Sequence, residues 1–148
     1  MDCVNIDDSI SVLRFPPETG DLQRLADAGF KAVVNLRQAG EQGEKLRPQA
    51  EGEEARESGL DYLHFPLSPP DLTAASAREF AAALEQLPKP VAIHCASGRR
   101  AGLMGLAAWA QQTDCDAAEA AERAQEVELE ISEADLSPLL CADVADAQ

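Results

Sequence analysis

Residues 88–112 constrain the fold more than any other stretch. Val91-Ala92-Ile93 is a short apolar run, bracketed by Pro88 and Pro90 before it and by Cys95-Ala96-Ser97-Gly98 after it, and a helical pattern begins near Ala101. A strand that turns through a tight loop straight into a helix is half of a βαβ unit. Such units build a parallel sheet with helices packed on its faces. The same alternation recurs upstream. Ile10 to Phe15 reads as a strand stopped by Pro16-Pro17, and 21–28 as a helix with Leu22, Leu25 and Ala26 on one face and Gly29 after its end. Lys31 to Leu36 is a β-branched strand, 38–47 a loop rich in Gly, Glu and Gln, and Pro48 starts a helix that Gly59 ends. Leu60 to Phe65 is a third strand, followed by a stiff loop with Pro66, Pro69 and Pro70, and then a helix from the N-cap Thr73 to Leu87. Helices are expected at about 101–112 and 116–129. Over 132–148 only Leu136, Leu139 and Leu140 suggest a short docked helix. The expectation is an α/β domain with a central, mostly parallel sheet flanked by helices.

The 148 residues fit one domain, 1–148, ending in an acidic extension from about 130. Residues 114–148 hold eleven acidic groups against Arg123 alone, so 10 of the 15 net negative charges lie there and the first 113 residues carry −5. That balance argues against a nucleic-acid partner, which needs a basic face. No apolar run approaches the roughly 18 residues of a membrane span, and Met1-Asp2-Cys3-Val4-Asn5 has no signal-like core, so a cytoplasmic location is expected. Cys3, Cys95, Cys115 and Cys141 form no C-x-x-C pair, and there are only two histidines. Free thiols, no metal and no cofactor are the expectation.

Cys95 stands apart from the other cysteines. At the end of a strand, in a loop that opens onto a helix, backbone N–H groups and the positive end of the helix dipole favour a thiolate. The same N–H groups form a concave anion site. Nucleophile and oxyanion cradle thus come from one segment, which points to covalent cysteine chemistry on an anionic group. Gly98 suits a reversing loop. Ser97 fits either a hydrogen bond to the sulfur or a turn. His94, on a buried strand, holds the loop rather than acting as a base. Arg37 ends a strand at the same sheet edge if the strands are parallel, as a second anion contact or in a surface ion pair. His64 and Trp109 read as core residues.

Taken in order, Val33-Val34-Asn35-Leu36-Arg37, Tyr62-Leu63-His64-Phe65-Pro66 and Val91-Ala92-Ile93-His94-Cys95 resemble the dual-specificity branch of the cysteine-dependent phosphatases. Within it they are most similar to the bacterial beta-lactamase-hydrolase-like phosphatase domain, over roughly residues 8–112. The resemblance implies that Cys95 attacks phosphorus in line. The backbone of Ala96, Ser97, Gly98, Arg99 and Arg100, with the Arg100 guanidinium, would hold the phosphoryl oxygens. Arg99 would point outward, to substrate or solvent. Asp71, on the loop after the third strand, would protonate the leaving oxygen and then activate water, with Glu41 and Glu44 as alternatives. No metal or cofactor is needed, and the partner would be a phosphorylated protein, phosphotyrosine included, or a small phosphate monoester.

Two features depart from the phosphatase pattern. The loop is C-x4-R rather than C-x5-R, and Ala101 stands where a Ser or Thr hydroxyl assists loss of the sulfur. Many rhodanese sulfurtransferases use the shorter loop to hold a persulfide, so a sulfurtransferase with the persulfide on Cys95 is a rival reading. A non-catalytic module binding phosphate or a partner through this loop is another. Both enzymatic readings need a reachable sulfur, with the amides of 96–100 turned toward it.

Overall fold

A computed structural model describes residues 2–140. Five strands, β1 (Cys3–Asn5), β2 (Ile10–Leu13), β3 (Ala32–Asn35), β4 (Asp61–His64) and β5 (Val91–His94), form one sheet in the order β1-β2-β5-β3-β4. Only β1 runs antiparallel to its neighbour; β2, β5, β3 and β4 are parallel. The helices are α1 (Asp21–Asp27), α2 (Pro48–Glu57), α3 (Ala74–Glu85), α4 (Arg99–Thr113), α5 (Ala117–Glu126) and α6 (Glu133–Leu140).

Alternation along the strands divides the interior into two layers. Val12, Val34, Val91 and Ile93 face one way, onto Phe80 and Leu84 of α3, Met104 and Leu106 of α4, Ala120 and Ala124 of α5 and Leu136 of α6. Leu13, Val33 and Ala92 face the other way, onto Leu22 and Leu25 of α1 and Ala55 of α2. The expected mostly parallel, helix-flanked sheet is therefore observed.

Strand β1 has no counterpart in the sequence reading. Three residues carry too little alternation to register. Local chemistry makes the hairpin instead: the Asp7 carboxylate accepts from the N–H groups of Ser9 (2.7 Å) and Ile10 (2.9 Å), reversing the chain. The segment from Leu129 packs back onto the domain. Ile131, Leu136 and Leu139 are buried, and a Cβ on Gly102 of α4 would meet the Ile131 side chain at 2.8 Å. Residues 130–140 thus share the main core, while the rest of the expected extension, with Cys141, lies outside the described residues.

Candidate active site

Register brings the chemistry to one edge. Asn35 pairs with both His64 and His94, so the carboxyl ends of β3, β4 and β5 are level. Parallel sheets place ligands at that edge. Cys95 follows β5 there. Gly98 reverses the chain at φ +100°, the left-handed region that favours glycine, and α4 starts at the next residue. The Cys95 Sγ accepts from the N–H of Gly98 at 3.2 Å and of Ala101 at 3.3 Å. These amides lie at the positive end of a 15-residue helix. Ala96 and Ser97 are exposed at the tip of the loop.

Arg100 sits against the Cys95 side chain. Its Nη1 donates to Glu41 Oε2 (2.8 Å) and to the Leu67 carbonyl (2.7 Å), and its Nη2 donates to Glu41 Oε1 (2.6 Å). The bond from Arg100 holds the Glu41 carboxyl below the usual carboxylate range, and Glu41 in turn raises the guanidinium further above its ordinary value. Cys95 is only 1% exposed and shares the main buried cluster, so the reachable sulfur the enzymatic readings require is not present in this arrangement.

Beneath the loop lies a polar cluster the sequence did not disclose. Glu51 of α2 is fully buried. One oxygen accepts from His94 Nε2 at 2.5 Å and the other from Arg37 Nη2 at 3.2 Å. Asn35 Oδ1 accepts from the Arg37 amide at 2.9 Å, and the Arg37 carbonyl lies 2.6 Å from His64 Nε2, which donates to it. The Asn35 amide donates to the Tyr62 hydroxyl at 3.1 Å, and burial pushes that phenol upward. His94 is therefore anchored below the nucleophile. Arg37, expected at the surface or on a substrate anion, is instead 1% exposed and stands behind the site, because Glu51 draws it inward. The available signal was Glu51 itself: it shares a helix face with Ala55 at i+4, where a small or apolar residue belongs.

The remaining candidates lie around the rim. Arg99 points outward and pairs with Asp135 (3.1 Å) and the Glu130 carbonyl (3.2 Å), so the acidic segment borders the loop. Arg14, Ser97, Gly98, Arg99 and 128–131 line a shallow cleft of about 280 Å³ there. Asp71 ends a 3-10 turn, Pro69–Asp71, and is fully exposed. Its carboxylate accepts from Ser68 N–H (3.0 Å) and Ser68 Oγ (2.8 Å), which hold it below the usual range. The structure therefore places Asp71 four residues past the Leu67 carbonyl that touches Arg100, but ties its carboxylate to Ser68. Glu44 accepts from the Gly40 amide at 2.8 Å. Among the described residues Cys3, Cys95 and Cys115 are free thiols, no cluster of His, Cys, Asp and Glu could hold a metal, and no helix is long and apolar enough to cross a membrane.

Comparison with known proteins bears on the family and the fold. A beta-lactamase hydrolase-like protein of Agrobacterium fabrum (strain C58) is 32% identical over 101 residues, covering 68% of this chain and 23% of that protein. One from Xylella fastidiosa (strain Temecula1) is 33% identical over 85 residues, 57% of this chain and 20% of that protein. The chain thus matches about a fifth to a quarter of the length of these relatives. Among solved structures, Tk-PTP in its active form superposes with TM-score 0.74 at 22% identity, covering 99% of this chain and 98% of that one. PTPMT1 in complex with PI(5)P superposes with TM-score 0.73 at 17% identity over the whole of both chains. P. aeruginosa TpbA in complex with pTyr gives 0.68 at 16%, over 93% of this chain and 80% of that one. The fold is that of the cysteine-dependent phosphatases. The sequence profile for the beta-lactamase hydrolase-like protein, phosphatase-like domain, matches residues 5–114, and the chain belongs to that family.

Proposed function

We propose that this chain is a cysteine-dependent phosphatase of the tyrosine or dual-specificity type, acting in the cytoplasm as one domain on phosphate monoesters. Its substrate would be a phosphorylated protein, phosphotyrosine included, or a small monoester. One observation carries the reading: at the start of α4 the Cys95 sulfur accepts from the loop amide of Gly98 and the helix amide of Ala101, with the Arg100 guanidinium beside it. A thiolate there is stabilised where a phosphoryl group would be held. The reading requires an opening of the site that brings the buried Cys95 sulfur within reach of substrate; the sulfur then forms a bond to phosphorus while the bond from phosphorus to the leaving oxygen breaks. Arg100 and the amides of the 96–100 loop take the equatorial oxygens. Asp71 is the proposed acid: once its carboxylate has left Ser68, which holds it ionised, it takes up a proton from solvent and gives that proton to the leaving oxygen. Water then attacks the phosphocysteine as the Asp71 carboxylate takes its proton, the sulfur–phosphorus bond breaks, and inorganic phosphate leaves with the thiolate restored. The complexes of TpbA with pTyr and PTPMT1 with PI(5)P support a phosphate monoester as substrate class.

The short loop and the missing hydroxyl at Ala101 favour a second reading, in which the Cys95 thiolate attacks the outer sulfur of a sulfane donor such as thiosulfate, the donor's sulfur–sulfur bond breaks with loss of sulfite, and Cys95 carries a persulfide. Parallel assays decide: para-nitrophenyl phosphate hydrolysis against sulfur transfer from thiosulfate to cyanide, each with wild type and Cys95→Ser. Phosphate release that Cys95→Ser abolishes, without thiocyanate formation, supports the phosphatase. Thiocyanate without phosphate release overturns it, and neither activity leaves the binding module.

A further inference from the structure

The Arg100 fork is already occupied. Glu41 presents one oxygen to Nη1 and the other to Nη2, at 2.8 and 2.6 Å. This side-by-side pairing is how arginine grips two oxygens of a phosphoryl group. The carboxylate therefore fills, oxygen for oxygen, the place the phosphatase reading gives to substrate. The pair is shielded, with side chains 13% and 22% exposed, and the sulfur beside it is nearly buried. Glu41 belongs to a self-contained loop: the Gln38 N–H donates to its Oε2 at 2.7 Å, the Gly40 N–H donates to Glu44, and Gly40 and Gly43 sit at positive φ.

We propose that Glu41 is the specificity-determining residue of the Cys95 site, an internal oxyanion that a ligand must displace from Arg100, so that the site admits tetrahedral dianions and rejects monoanions. A monoanion exchanges one negative charge on the guanidinium for another, and competes against a carboxylate tethered at high effective concentration. A phosphate-monoester dianion brings a second charge, which the amides at the start of α4 can meet. Phosphodiesters and carboxylates are thereby excluded. This rests on the phosphatase reading for Arg100 as the substrate clamp, but its test needs no turnover.

Calorimetry with tungstate, a dianion, and dimethyl phosphate, a monoanion, tests it on wild type, Glu41→Gln and Glu41→Ala. Wild type should bind tungstate and not detectably dimethyl phosphate. Removing the carboxylate should tighten tungstate by about tenfold and bring dimethyl phosphate into the measurable range. Arg100→Met should abolish both. If neither Glu41 variant gains affinity, or if the preference for tungstate over dimethyl phosphate is unchanged, the proposal is wrong. A gain in affinity without phosphatase turnover in any variant supports Glu41 as gatekeeper while the phosphatase reading fails. Turnover dependent on Cys95 without that gain overturns the gatekeeper alone.

Discussion

Asp71 and Glu51 are carboxylates in opposite settings, one exposed and one fully buried. Asp71 is exposed and tied to Ser68, so the acid role proposed for it depends on its release. Replacing it with Asn should lower turnover of a phosphotyrosine peptide or an alkyl phosphate by roughly 10²-fold or more, and of para-nitrophenyl phosphate far less, because a good leaving group needs little protonation. Equal losses on both substrates would remove Asp71 as the acid. Glu51 is a matter of stability. Glu51→Ala leaves Arg37 and His94 buried without their shared partner and should cost about 3–5 kcal/mol in urea unfolding; a cost under 1 kcal/mol would mean the cluster is not the anchor it looks. Cys95 and the amide-lined turn could be read directly from the chain, since strand end, loop and helix start are contiguous. Neither partner of the buried and shielded carboxylates could. Glu41 meets Arg100 across 59 residues and Glu51 meets His94 across 43, and both pairings depend on how loops and helices dock.

Elements were legible in proportion to their length and periodicity. The helix from Thr73 follows from its N-cap and apolar face, and the strand into Cys95 from a short apolar run behind Pro88 and Pro90; α3 and β5 lie where these place them. Helix α4 begins at Arg99, two residues earlier than the apolar pattern, because its first turn is the anion loop and carries arginines instead of core residues. Strand β1 escaped for want of residues. Helix α6 gave a weak signal because eight residues with Pro138 among them carry little amphipathic contrast, yet Leu136 is fully buried against α3 and α4. Leu136→Ala should therefore cost about 2–5 kcal/mol in chemical denaturation. A cost near zero would mean that this segment merely rests on the domain.

For the whole molecule, charge decides the response to acid. The carboxyls of Glu41, Asp71 and Asp135 are held low by Arg100, by Ser68 and by Ser132 with Arg99, respectively. A carboxyl whose folded value lies below its unfolded one stabilises the fold fully above the unfolded value, and loses that contribution as pH falls through the folded one. Thermal stability should thus be flat from about pH 7 to 5 as far as these groups are concerned and should fall below about pH 4. A rise in stability on acidification below that point would show that relief of the −15 net charge outweighs them. The same surface should slow anionic substrates until salt screens it.

The most direct measurement is rapid acid quench of the wild-type protein mixed with para-nitrophenyl phosphate, followed by mass analysis of the peptide containing Cys95. Because Ala101 offers the departing sulfur an N–H but no hydroxyl, breakdown of the intermediate should be the slow step. The expected result is a phosphoryl group on Cys95, accumulating with a burst of nitrophenol and absent from Cys95→Ser. An unmodified Cys95 while phosphate is being released, or release that survives Cys95→Ser, would contradict a phosphocysteine mechanism.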